Sequence, residues 1–224
     1  MFKTLLYTAT LSIVLQFPLF ASNESGDERI VPMLFHDMAN NGSWRPNNDT
    51  VMGGVSSSRF EMTDTGIFVF SGDLSLKNNG GFASVRSRLK PMDLADADAF
   101  RLRVRGDGYR YQLRFEVQGE WRWVNYGQGF DTKVGEWMEV ELPVDQFRAT
   151  HRGESVSRAP AFNPAELANV ILFVSDKQEG KFQLEVDWIR AVYHEKKEAL
   201  IEKDGESTPE DKSAGKKTSE NQSP

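Results

Sequence analysis

Apolar residues recur at every second position through most of the chain. Phe100, Leu102 and Val104 alternate with Arg101, Arg103 and Arg105. Tyr109, Tyr111, Leu113, Phe115 and Val117 alternate with Arg110, Gln112, Arg114, Glu116 and Gln118. A period of two predicts strands with one face buried and the other wet. Gly106-Asp107-Gly108 separates the two runs and predicts a hairpin, which sets Arg101, Arg103, Arg105, Arg110 and Arg114 on one face. Further strands are expected at 67–76, with Gly72-Asp73 as a bulge or turn, and at 82–87 and 121–126. Met138, Val140 and Leu142 mark another, and Phe182, Leu184, Val186 and Trp188 close the series on one apolar face. The unbroken apolar run 170–174 predicts a central strand buried on both sides. Only Pro164–Ala168 reads as helical, with Asn163 as N-cap and Pro164 at the first helical position. Many short strands and almost no helix predict an all-β sandwich or jelly roll. The polar stretch 143–160 reads as a long loop.

The ends differ from this middle. Lys3, the uncharged apolar run Leu5–Phe20 and the small residue Ala21 have the layout of a secretory signal peptide over 1–21. The expected location is therefore exported, periplasmic or secreted, with nothing membrane-spanning after cleavage. Residues 22–34 read as a linker and 35–193 as the β-sandwich domain. From His194 onward, aromatics give way to Lys, Glu, Asp, Ser, Gly and Pro, which predicts a disordered charged tail over 194–224. The sequence has no cysteine, so neither a disulfide nor an acylated cysteine is available and stability must come from the core.

Charge and chemistry narrow the function. A formal net charge of −6 disfavours nucleic-acid binding, since phosphates attract basic surfaces. The only histidines are His36, His151 and His194, and no pair of them has ligand spacing. There is no GxSxG elbow, and Gly106-Asp107-Gly108 lacks the strand–GxGxxG–helix setting of a dinucleotide site. No catalytic residue, metal site or cofactor is expected, and a non-catalytic binding domain is the reading that follows.

Two glycine-rich segments stand out, NDTVMGGVSSS from Asn48 and LKNNGGFASVRS from Leu76. By local chemistry they are tight turns built from Gly, Asn and Asp, or a loop pair converging on a ligand with Asp49, Asn79 and Arg86 as polar contacts. In that order they resemble the complex I intermediate-associated protein 30 family. Arg105–Tyr111, Gly135-Glu136-Trp137 with Val140–Pro143 and Phe147, and Val174–Gln178 with Gly180–Phe182 and Leu184–Ile189 carry the resemblance to the end of the domain. The resemblance implies a galactose-binding-like jelly-roll β-sandwich without a known catalytic residue. It also implies a protein partner, because the mitochondrial relative is a chaperone for respiratory complex I assembly. The export signal argues against carrying that role over whole, because complex I assembles on the other side of the bacterial membrane.

Two functions follow as expectations. The first is a protein-interaction or complex-assembly factor that uses the arginine face, with Arg103 at its centre. Against it stands pairing of these arginines with Glu116, Glu139 and Glu141 across neighbouring strands, which would make the face merely structural; arginines left unpaired would dock an acidic partner. The second is a carbohydrate-binding module in which Trp121, Trp123 and Tyr126 stack on sugar rings. On one strand Trp121 and Trp123 share a face and Tyr126 takes the other.

Overall fold

The computed structural model describes residues 28–33 and 44–194, with backbone alone for 28–33 and no side chain for Val51, Met52 and Asn79. Among the described residues there are thirteen strands: β1 (Glu28–Met33), β2 (Arg45–Pro46), β3 (Ser57–Met62), β4 (Phe68–Leu74), β5 (Ala83–Arg88), β6 (Ala99–Arg105), β7 (Arg110–Val117), β8 (Asn125–Asp131), β9 (Trp137–Pro143), β10 (Arg148–His151), β11 (Glu154–Ser155), β12 (Leu167–Val174) and β13 (Gly180–His194). They form two antiparallel sheets. One runs β3-β4-β13-β6-β9, with β1 paired to Ile189–His194 of β13. The other runs β11-β10-β8-β7-β12-β5-β2.

The period-two pattern sorts the residues. Phe100, Leu102 and Val104 of β6 and Tyr111, Leu113 and Phe115 of β7 are fully buried between the sheets. Phe100 meets Phe115 across the layers at 4.6 Å between ring centroids, with Phe147 and Phe162 around them. β12 is central, between β7 and β5. Its Val170, Leu172 and Val174 point into the core, and Ile171 on the other side is also buried. The helical stretch is one 3-10 turn, Pro164–Glu166, and Asn163 Oδ1 accepts the Ala165 N–H at 3.1 Å, as an N-cap should.

Several local expectations give way. β6 and β7 do not form a hairpin, because they lie in different sheets. Gly106–Gly108 is a corner between layers. Thr132 Oγ1 accepts the Gly108 N–H at 3.1 Å and donates to the Tyr109 carbonyl at 2.8 Å. The Asp107 carboxylate accepts Tyr109 N–H, Tyr111 O–H and Gln183 N–H, tying the corner to β7 and β13. Arg101, Arg103 and Arg105 therefore sit on one outer face of the sandwich and Arg110 and Arg114 on the opposite one. The segment 121–126 is not one strand either. Gly119–Trp121 is a 3-10 turn entered through Gly119 at φ 77, and Val124 N–H bonds the Trp121 carbonyl before β8 starts at Asn125.

A bulge between Val186 and Trp188 shifts β13 by one residue. It sends Trp188 outward, away from the face of Phe182, Leu184 and Val186. Gly72-Asp73 stays inside β4 without a turn. The polar stretch 143–160 contains the edge strands β10 and β11, and residues 28–33, read as linker from sequence, pair with β13. The signal segment, the remainder of the linker, His36 and the tail beyond His194 lie outside the described residues.

Candidate functional site

The two glycine-rich segments do converge, and Asp49 is what joins them. Its carboxylate is 1% exposed. Oδ1 accepts the Ser56 N–H at 3.0 Å, and Oδ2 accepts the Ser56 hydroxyl at 2.6 Å and the Gly81 N–H at 2.7 Å. Burial alone pushes its pKa up, but the bonds from the Ser56 side chain and the Gly81, Ser56 and Phe82 backbones outweigh that and hold it below the usual 3.8. A Cβ on Gly54 or Gly80 would overlap this carboxylate, so both glycines are needed to let the chain approach it. Asn78 Nδ2 adds a bond to the Gly53 carbonyl at 3.2 Å. Asn79 ends the 3-10 turn Lys77–Asn79 of the second segment. Asp49 is thus turned inward as the clasp between the segments. On their rim Val55 is 53% exposed and Leu76 38%.

The outer face of the six-stranded sheet carries Arg103. Its guanidinium pairs with Asp187, Arg101 with Glu141 (Nε to Oε2 3.0 Å) and Arg105 with Glu185 (Nε to Oε2 3.1 Å). The neutralisation expected from sequence is present, with partners drawn mostly from β13. Glu139 stands opposite Arg103 without pairing to it, and Glu116 belongs to the other sheet. Two tryptophans that the sequence reading had not placed here complete the layer. Arg103 and Arg105 lie over the Trp137 ring at 4.8 and 4.9 Å, and Arg190 lies over Trp188 at 4.0 Å. Both indoles are half-buried. Trp137 was legible as the polar-face neighbour of Met138. Trp188 was hidden by the bulge.

Trp121, Trp123 and Tyr126 separate. Tyr126 is 2% exposed, stacks on Phe162 at 5.2 Å and donates its hydroxyl to the Pro160 carbonyl at 3.2 Å. Burial, then the charge of Glu166, raises its pKa. Trp121 and Trp123 remain together, 5.7 Å apart and 32° from parallel. Trp123, 37% exposed, also meets His151 edge-on at 5.1 Å and Arg158 at 5.6 Å. Much of the ring that would stack on a sugar is already covered.

The outer face of the seven-stranded sheet carries Arg86 and Arg114. Arg86 pairs with Glu116 at 3.5 Å, and Asn169 Nδ2 donates to the same carboxylate at 2.6 Å. Arg114 lies flat on Phe173, 3.4 Å from the ring centroid, and donates Nε–H to Gln112 at 2.9 Å. Burial lowers its pKa to about 10 against the opposing pull of Asp176. A Cβ on Gly127 would come within 2.9 Å of Arg114 Cγ, so the glycine makes room for this side chain. Among the described residues no group of three or more His, Asp or Glu is placed to hold a metal ion, and no helix is long and apolar enough to cross a membrane.

The model of the family described as Complex I intermediate-associated protein 30 matches residues 33–186. The probable complex I intermediate-associated protein 30, mitochondrial, of Caenorhabditis elegans is 27% identical over 161 residues, covering 63% of this chain and 47% of the relative. Its Caenorhabditis briggsae counterpart is 26% identical over the same shares. The chain thus spans about half the length of the curated relatives it matches. Among solved structures, the family 11 carbohydrate-binding module of a Clostridium thermocellum cellulosomal cellulase superposes with a TM-score of 0.51 at 13% identity, covering 73% of this chain and 94% of that one. The family 11 module from Clostridium thermocellum in complex with a β-1,3-1,4-mixed-linked tetrasaccharide gives 0.52 at 14% identity, covering 76% and 98%. At these identities the likeness is one of fold, a galactose-binding-like jelly-roll β-sandwich.

Proposed function

The chain belongs to the complex I intermediate-associated protein 30 family, and from that premise we propose that it is a non-catalytic docking domain that binds a protein partner in an assembly role outside the cytoplasm. The docking face is the outer side of the six-stranded sheet. The observation that carries this is the layer in which Arg103 and Arg105 rest on Trp137 and Arg190 rests on Trp188. Tryptophan and arginine are the residues most enriched at energetic hot spots of protein interfaces. Here each guanidinium over Trp137 is already held by a carboxylate of β13 or its bulge, Asp187 or Glu185. Ordering these side chains before the partner arrives lowers the entropy lost on binding. Because the arginines are paired, the face does not demand an acidic partner; it offers aromatic and guanidinium area for shape-matched contact. The family name of the relatives, association with an intermediate of a large complex, supports the same reading, and the amino-terminal segment 1–21 supports export.

The test is co-purification of the full chain from its source cells, compared with Trp137→Ala and Trp188→Ala. A partner recovered with the natural chain falls at least tenfold in each variant if this face docks it. Undiminished recovery by both folded variants would remove the face from the proposal.

A further inference from the structure

On the opposite side of the sandwich, β2 and β5 set Arg45 directly across from Arg86, and Arg88 follows two residues later on the same face. Like charges directly opposed across strands are unfavourable. Among the described residues one carboxylate reaches this cluster, Glu116, which pairs with Arg86 at 3.5 Å. Among the described residues Arg45 and Arg88 have no salt-bridge partner. With Asn169 these arginines line a cavity of about 400 Å³. Among the described residues one carboxylate stands against three guanidiniums around this concavity, which leaves local positive charge in a chain whose net charge is −6.

We propose that this cavity binds an anionic saccharide, its carboxylates taken by Arg45 and Arg88 and a hydroxyl by Asn169. The guanidinium fork matches a carboxylate with two parallel hydrogen bonds. Asn169 is fixed by its 2.6 Å bond to Glu116, which leaves its carbonyl oxygen to accept a hydroxyl. An acidic peptide is the competing occupant of the same charge. Peptides anchor through buried aromatic or aliphatic side chains, and the exposed large apolar residues described here, Val55, Leu76, Trp123 and Val134, do not line this cavity. The residues that line it are all charged or polar, which suits a ligand rich in hydroxyls and carboxylates. The site lies on the other sheet from the docking face and stands independently of it.

The test is calorimetric titration of the full chain with oligogalacturonate, its fully methyl-esterified form and poly-L-glutamate. Expected is binding of the acid that weakens with added salt, with the ester and the polypeptide each at least tenfold weaker. The Arg45→Gln/Arg88→Gln double variant is expected to lose at least tenfold, and Arg59→Gln on the other sheet nothing. Among the described residues neither guanidinium makes a hydrogen bond or ion pair that the substitution would break. The ester and polypeptide comparisons in any case use the natural chain. No binding of the acid, equal binding of the ester or of poly-L-glutamate, or retention in the double variant would each overturn the assignment.

Discussion

Asp49 shows how a single residue can look like a ligand contact and serve the fold. Its position four residues before Gly53-Gly54 suggested a polar group offered to a ligand, but its oxygens are taken by Ser56 and Gly81. Sequence identified the residue and its glycine neighbours; it did not give the direction of the side chain, because Gly81 is 32 residues away in the chain. Asp49→Asn replaces an acceptor with a donor against these N–H and O–H groups. The expected loss is about 2–3 kcal/mol at neutral pH, read by denaturant unfolding. The pH dependence follows from the lowered pKa. The carboxylate's contribution is present above its unfolded value near 3.8 and is lost as pH falls through the lower folded value. The stability gap between the natural chain and the variant therefore narrows as pH falls from about 5 through the unfolded value of 3.8 and below. A gap unchanged over that range would mean that Asp49 is not ionised in the clasp.

At the level of elements, alternation was a reliable guide to which residues are buried and a poor guide to which strands are neighbours. Leu102 and Leu113 both point into the core as their period requires, yet β6 and β7 are in different sheets. A glycine-rich turn is compatible with a hairpin and with an interlayer corner. The deciding contacts, Asp107 with Gln183 and Thr132 with Gly108, are distant in sequence. The same applies to β13, where one extra residue at the bulge moves Trp188 from core to surface. β6 and β7 are held face to face by Phe100 and Phe115. Phe100→Ala is expected to cost about 3–5 kcal/mol in chemical denaturation. Combined with Phe115→Ala, the loss departs from additivity by at least about 0.5 kcal/mol because the rings share one contact. Strict additivity would contradict the interlayer packing.

The molecule as a whole is a sandwich with two different outer faces. The six-stranded sheet presents paired arginines layered on tryptophan, and the seven-stranded sheet presents at one edge Arg45 and Arg88, which have no ion-pair partner among the described residues. The all-β class, the family and the central buried strand were legible because they depend on period and motif. The division of arginines between faces was not, since it depends on which layer each strand enters. Of the residues singled out from sequence, Arg103 lies on the outer face proposed to dock a partner, Arg86 lines the basic cavity, and Asp49 and Tyr126 are interior.

The central claim is that the outer face of the six-stranded sheet meets a protein partner. Glu139 is exposed on that face beside Trp137. Replacing it with the photo-crosslinker benzoylphenylalanine in the full chain, in its source cells, tests the claim most directly. Expected is a discrete crosslinked protein adduct from position 139 that is absent when the crosslinker replaces Glu120 in the turn beside β8. No adduct at 139, or the same adduct from both positions, would contradict the claim.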